Sequence, residues 1–178
     1  MATTATFELG PANGPLRVRT GRTGAVARAG HDLLIEVGDW RATLELAGDA
    51  TTLSLRADST TLRVLEGTGG MMELGDDDKA SIVATIDSEV LGTHDIEFAS
   101  TAVRVEGDRY EVSGELTLAG QTRPLTFALE AGPGGSLRAS ATVKQTDWGI
   151  KPYTTLFGAL KVADEVTVEF EGETLTAG

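Results

Sequence analysis

Tyr110-Glu111-Val112-Ser113-Gly114-Glu115-Leu116-Thr117-Leu118 alternates apolar or small residues with polar ones, and Gly120-Gln121-Thr122-Arg123-Pro124 separates it from Leu125, Phe127 and Leu129, which resume the same period. A period of two is that of a β-strand with one face buried and one face wet. The stretch therefore reads as strand, turn and answering strand. Upstream, Gly107-Asp108 supplies turn chemistry before the first of them. Downstream, Gly132-Pro133-Gly134-Gly135 is a loop, after which Leu137, Ala139, Ala141 and Val143 alternate again. The segment Gln145-Thr146-Asp147-Trp148-Gly149-Ile150-Lys151-Pro152-Tyr153 breaks that period, and Val166, Val168 and Phe170 restore it near the end of the chain.

The first half repeats the theme. Leu33, Ile35 and Val37 share one face. Trp40, Ala42, Leu44 and Leu46 share another across the Gly38-Asp39 break, and Leu53, Leu55 and Ala57 follow a Gly48-Asp49 hairpin signal. Roughly eight to ten such runs predict an all-β protein, an antiparallel barrel or sandwich with no room for βαβ crossovers. One segment departs from the strand period: within Lys79–Leu91, Ile82, Ile86 and Val90 lie four apart, as on a helix face. Asp76-Asp77-Asp78 before it suits a helix N-terminus and Gly92 suits its stop.

The 178 residues, 40% of them hydrophobic, suffice for a single domain with a real core, read as 1–178. Cysteine is absent, so disulfides, thiolate metal sites and a thiol nucleophile are all excluded. With 27 acidic against 15 basic residues the net charge is −12, which repels nucleic acid and anionic headgroups. No window has the length of a membrane span, and the N-terminus lacks a basic start followed by an apolar run, so a cytoplasmic protein without stable membrane insertion is expected. Acidity of this kind serves solubility.

Taken in order, several of these segments resemble the YceI-like family over roughly residues 15–172. Thr23-Gly24-Ala25-Val26-Ala27-Arg28-Ala29-Gly30-His31-Asp32-Leu33 is similar to the family's early histidine-containing strand. Glu89-Val90-Leu91-Gly92-Thr93-His94-Asp95-Ile96-Glu97-Phe98-Ala99-Ser100-Thr101 is similar to its helix end and following strand, with His94-Asp95 where members usually read Tyr-Pro. Gly114–Pro124 is similar to its strand-loop-strand signature. The resemblance implies a closed, lipocalin-like antiparallel β-barrel of about eight strands with one short helix. It also implies a non-enzymatic role: binding, carriage or sequestration of a long-chain isoprenoid or other apolar lipid, with no cofactor.

An eight-stranded barrel holds side chains or one slim ligand, so the expected site is a set of inward apolar residues. Leu33, Trp40, Phe98 and Ile150 are candidates, as are Trp148, Leu156 and Phe157 in the non-alternating break and the adaptable pair Met71 and Met72. For Trp40 and Phe98 the competing reading is packing at the barrel floor or seam. For Trp148 it is a packed plug, and for the methionines a patch that tacks a loop to the barrel. His31-Asp32 and His94-Asp95 lack ligand spacing, and no Gly-x-Ser-x-Gly string occurs, so neither a metal site nor a serine nucleophile is expected. Two readings stand beside the carrier. One is an isomerase or cyclase using His31, Asp32 or His94 on an apolar substrate, and the other is a filled-barrel stress or interaction module, with room for a homodimer.

Overall fold

The computed structural model describes residues 4–23, 32–68, 74–92, 95–155 and 160–174. Eleven strands form one antiparallel sheet. From one edge to the other they are β1 (Ala5–Leu9), β5 (Trp40–Leu46), β6 (Thr52–Ala57), β8 (Ile96–Glu106), β9 (Arg109–Leu118), β10 (Gln121–Ala131), β11 (Ser136–Lys144), β14 (Glu165–Glu173), β2 (Leu16–Arg19), β4 (Asp32–Val37) and β7 (Leu62–Thr68). A small second sheet joins β12 (Thr154–Thr155), β13 (Leu160–Val162) and β3 (Arg22–Thr23).

The run β8-β9-β10-β11 is a meander whose corners follow local turn chemistry. At the β9/β10 corner Leu118 pairs with Gln121, and both residues between them have positive φ, Ala119 at 51° and Gly120 at 76°. Two left-handed residues are what a tight hairpin matching the strand twist requires. Gln121-Thr122-Arg123-Pro124, expected as a loop, is therefore the first part of β10, with Pro124 opposite Glu115. Proline survives there because this part of β10 pairs with β9 alone, β11 joining only at Ala128–Ala131, so no ladder bond is lost on the other side.

The sheet is an open half-barrel of eleven strands, not the closed barrel of about eight expected from the sequence. Among the described residues the end strands β1 and β7 do not pair with each other. Alternation tells which face of a strand is buried and nothing about whether the last strand meets the first. Short strands such as β1 and β2 also add to the number without a long apolar run to announce them. At the β7 edge, α1 (Asp76–Thr85) lies alongside, and Lys79 Nζ donates to Leu65 O at 3.4 Å, occupying a free edge carbonyl.

The helix begins as its acidic triplet indicates: Asp78 Oδ2 accepts the backbone N–H of Gly75 at 3.0 Å. Past Thr85 it loosens into a π-helical turn, Ile86–Val90, and ends at Gly92 with φ +66°. Buried Ser59 donates to Asp87 Oδ1 at 3.1 Å and pins that turn to the β6–β7 connection. Inside the sheet, Leu44 and Val112, each 1% exposed, are the most deeply buried apolar residues among those described.

Candidate functional site

The concave face of the half-barrel encloses a cavity of about 880 Å³. All eleven strands of the main sheet contribute apolar wall residues, from Leu9 on β1 to Leu62 on β7. The helix completes the enclosure with Ile82, Ile86 and Val90, the four-spaced residues of its apolar face, and with Leu91. This lining is the direct consequence of the two periods in the sequence: where a strand borders the cavity its alternate residues face it, and residues four apart on the helix face the same space.

Four of the sequence-derived candidates stand on this wall: Leu33 on β4, Trp40 on β5, Phe98 on β8, and Ile150 just beyond β11. The rings of Trp40 and Phe98 are braced from the sides. Phe98 meets Phe127 edge-on, centroids 5.3 Å apart at 61°, and Trp40 meets Phe170 at 5.5 Å and 75°. Trp40 Nε1 is buried and has no acceptor among the described residues. Trp148 is elsewhere. It is 3% exposed, absent from the wall, and donates through Nε1 to Leu116 O at 2.8 Å, so it straps the segment after β11 onto β9. Met71, Met72, Leu156 and Phe157 lie outside the described residues, as do His31 and His94.

The strapped segment is a 3-10 turn, Gln145–Trp148, closed by Gly149 in the left-handed conformation at φ +71°. The loop between β13 and β14 clamps it. Asp164 O accepts Gln145 N at 2.8 Å, and the Asp164 carboxylate accepts Thr146 N at 2.8 Å and Thr146 Oγ1 at 2.7 Å. The hydroxyl bond from Thr146, with help from the backbone bond, holds the Asp164 carboxyl below its ordinary value. Gln145 itself, 6% exposed, reaches the cavity wall, and its Nε2 donates to Ala163 O at 2.9 Å.

The few other polar wall residues include Thr20, Tyr153, and Asp78, Ser81 and Thr85 of the helix. Among the described residues no lysine or arginine lines the cavity, and no group of three or more His, Asp or Glu could hold a metal ion. Asp32, weighed with His31 as an acid-base pair, is off the wall and pairs with Arg22 at 3.1 Å. Gln145, Thr20 and the helix face were not singled out in the sequence as wall residues. The helix could have been, since its four-residue spacing was visible; Gln145 could not, because its anchor is 18 positions away.

No helix among the described residues is long and apolar enough to cross a membrane. Residues 87–174 match the model of the YceI-like domain. Comparison with curated proteins found no match. Solved structures that share the fold include the following three. BcnA of Burkholderia cenocepacia is 16% identical with a TM-score of 0.60, over 88% of this chain and 94% of that one. A Campylobacter jejuni YceI protein is 12% identical with a TM-score of 0.59, over 81% and 85%. A polyisoprenoid binding domain from Saccharophagus degradans, implicated in plant cell wall breakdown, is 12% identical with a TM-score of 0.58, over 97% and 100%. At such identities the likeness is one of fold.

Proposed function

We propose that this chain, whose residues 87–174 belong to the YceI-like family, binds one long apolar lipid of the isoprenoid type in its half-barrel and carries or sequesters it without transforming it. The observation that carries this reading is the cavity itself: about 880 Å³, walled by apolar side chains of every main-sheet strand. That size lies in the upper part of the range of about 300–1,000 Å³ that ligand sites occupy. Each buried methylene-sized group contributes about 0.8 kcal/mol before ordering costs, so a chain of many such groups binds without a charged anchor. The Saccharophagus degradans domain, named for polyisoprenoid binding, supports the ligand class by its fold.

In this reading Leu33, Trp40, Phe98 and Ile150 touch the ligand, and the chain acts as one domain, 1–178, in the cytoplasm, with no nucleic acid partner and no stable membrane insertion. Native mass spectrometry of the protein purified from its own host, with solvent extraction, tests it. A stoichiometric isoprenoid is expected. Ala141→Trp, which places a large ring on the wall, should abolish loading while the far-ultraviolet spectrum stays that of a sheet protein. A folded protein that arrives empty and also refuses added polyprenols and quinones would overturn the reading and favour an interaction module.

A further inference from the structure

The cavity occupies one end of the half-barrel and not the other. On β5 Leu44 lines it and Leu46 does not; on β8 Phe98 does and Val103 does not; on β9 Leu116 does and Val112 does not. Leu46, Val103 and Val112 all belong to the packed apolar core. The strand ends that carry them are therefore filled by side chains, and the cavity stops against that filling.

The opposite end is open. A residue that faces both the cavity and solvent lies where the two meet, and Tyr153, 44% exposed, does so, as do the exposed Asp78 and Ser81 of the helix. Backbone pairings gather these residues at one end. Val162 N donates to Tyr153 O at 3.0 Å, and Val162 stands opposite Arg22, two residues past Thr20. Thr20 N donates to Leu33 O at 3.0 Å, and Leu33 stands opposite Gly67 on β7. Two residues from Gly67 is Leu65, whose carbonyl holds Lys79 beside Asp78.

Two rings stand at the inner end of these same strands. Phe170 is the last residue of β14 on the wall and pairs with Leu16, at the end of β2 remote from Thr20. Val37 is the last wall residue of β4, remote from Leu33, and the Gly38-Asp39 corner delivers Trp40 just beyond it. Strands β6, β8, β9, β10 and β11 stand between β5 and β14 in the sheet, so the edge-on contact of Trp40 with Phe170 spans the concave face. Both rings are buried, at 3% and 8% exposure, and both line the cavity.

We infer that the Trp40–Phe170 pair is the stop for the lipid tail: the lipid enters tail first, its head remains at the Tyr153–Asp78 rim, and the two rings set the tail length that the cavity accepts. This rests on the apolar-carrier reading above and adds the orientation and the length limit. The test is competition among geraniol, farnesol, geranylgeraniol, geranylfarnesol and solanesol for the full chain, read by native mass spectrometry. Affinity should rise by at least about tenfold per isoprene unit while each new unit is buried, and stop rising once the tail meets the rings. Trp40→Leu should move that break to a longer member of the series, and Phe170→Leu should move it in the same direction. Leu33→Ala, a wall change on the rim side, should weaken binding without moving the break. If Trp40→Leu fails to fold, Phe170→Leu carries the comparison, and if neither folds the wild-type series decides. Affinity that climbs without a break through solanesol, or a break that stays in place in the folded ring variants, overturns the stop and leaves the carrier reading standing. Failure of every alcohol to bind removes the carrier reading itself.

Discussion

Gly114→Ala places a methyl group where the β8/β9 ladder has no room. A Cβ at this position falls 2.6 Å from Phe98 Cζ and 2.8 Å from Ser100 Cα, with the Ala99 carbonyl oxygen closer still. Gly114 sits opposite Ser100, where the register slips between Ser100 and Ala102, so the bulged strand presses its backbone against β9 at that residue. The Phe98 ring can swing toward the cavity, whereas the Ala99 carbonyl and Ser100 Cα move only if β8 moves. Overpacking costs about 1–3 kcal/mol and a distorted ladder bond about 1 kcal/mol more, giving an expected loss of about 2–4 kcal/mol. For a chain of this size that lowers the melting temperature by about 5–15 °C. Urea unfolding followed by tryptophan fluorescence measures it, since Trp40 and Trp148 are both 3% exposed. Adding Phe98→Leu should restore only the part due to the ring. Stability of the single variant within about 0.5 kcal/mol of the parent would show that the close approach does not exist, and full restoration in the double variant would assign the clash to the ring rather than to the backbone.

The two tryptophans should respond differently to removal of the indole N–H. Trp148→Phe leaves Leu116 O without its partner and is expected to cost about 1–3 kcal/mol, while Trp40→Phe removes a donor that has no acceptor and should cost less than Trp148→Phe in the same denaturation assay. Asp164→Asn should change the acid limb of stability. The folded carboxyl titrates below its ordinary value of 3.8, so its contribution is complete above that value and is lost as pH falls through the lowered one; thermal melts between about pH 5 and pH 2 should slope less steeply in the variant. Lys79→Ala uncovers the Leu65 carbonyl on the β7 edge, and hydrogen exchange should show faster opening of α1 against β7 with little change in global stability.

What the sequence made legible is what neighbouring residues decide. Alternation in Tyr110–Leu118 and Leu137–Val143 marks inward faces, and Gly48-Asp49 and Gly107-Asp108 mark hairpins that the β5/β6 and β8/β9 pairs realise. The triplet Asp76-Asp77-Asp78 and the spacing of Ile82, Ile86 and Val90 mark the helix and the face it turns to the cavity. Pairings between distant segments were not legible. Leu33–Val37 and Trp40–Leu46 are separated by two residues and yet stand far apart in the sheet order, β4 between β2 and β7, β5 between β1 and β6. Gly38 explains the separation: its N–H bonds to Thr61 O at 3.0 Å, and a Cβ there would fall 2.7 Å from that oxygen, so the chain turns against the β6–β7 connection instead of folding back on itself.

The same distinction between local and distant contacts separates the two halves of the site. The apolar wall follows from composition and period, and any sequence with these alternations curled into one sheet would possess it. The polar part of the wall does not: Gln145 reaches it through an amide whose orientation is dictated by a carbonyl at Ala163. Nothing in Gln145-Thr146-Asp147-Trp148 announces that contact: the turn reads as a break between strands, and its most conspicuous residue, Trp148, proves to be the strap to Leu116 and not a wall residue. Specificity in an apolar site comes from the few polar groups that would be left unpaired by the wrong ligand, because methylene groups are nearly interchangeable and a buried acceptor is not. Substituting wall residues one at a time among Leu, Ile and Met should therefore shift affinity for polyprenols and for quinones together, without changing their order.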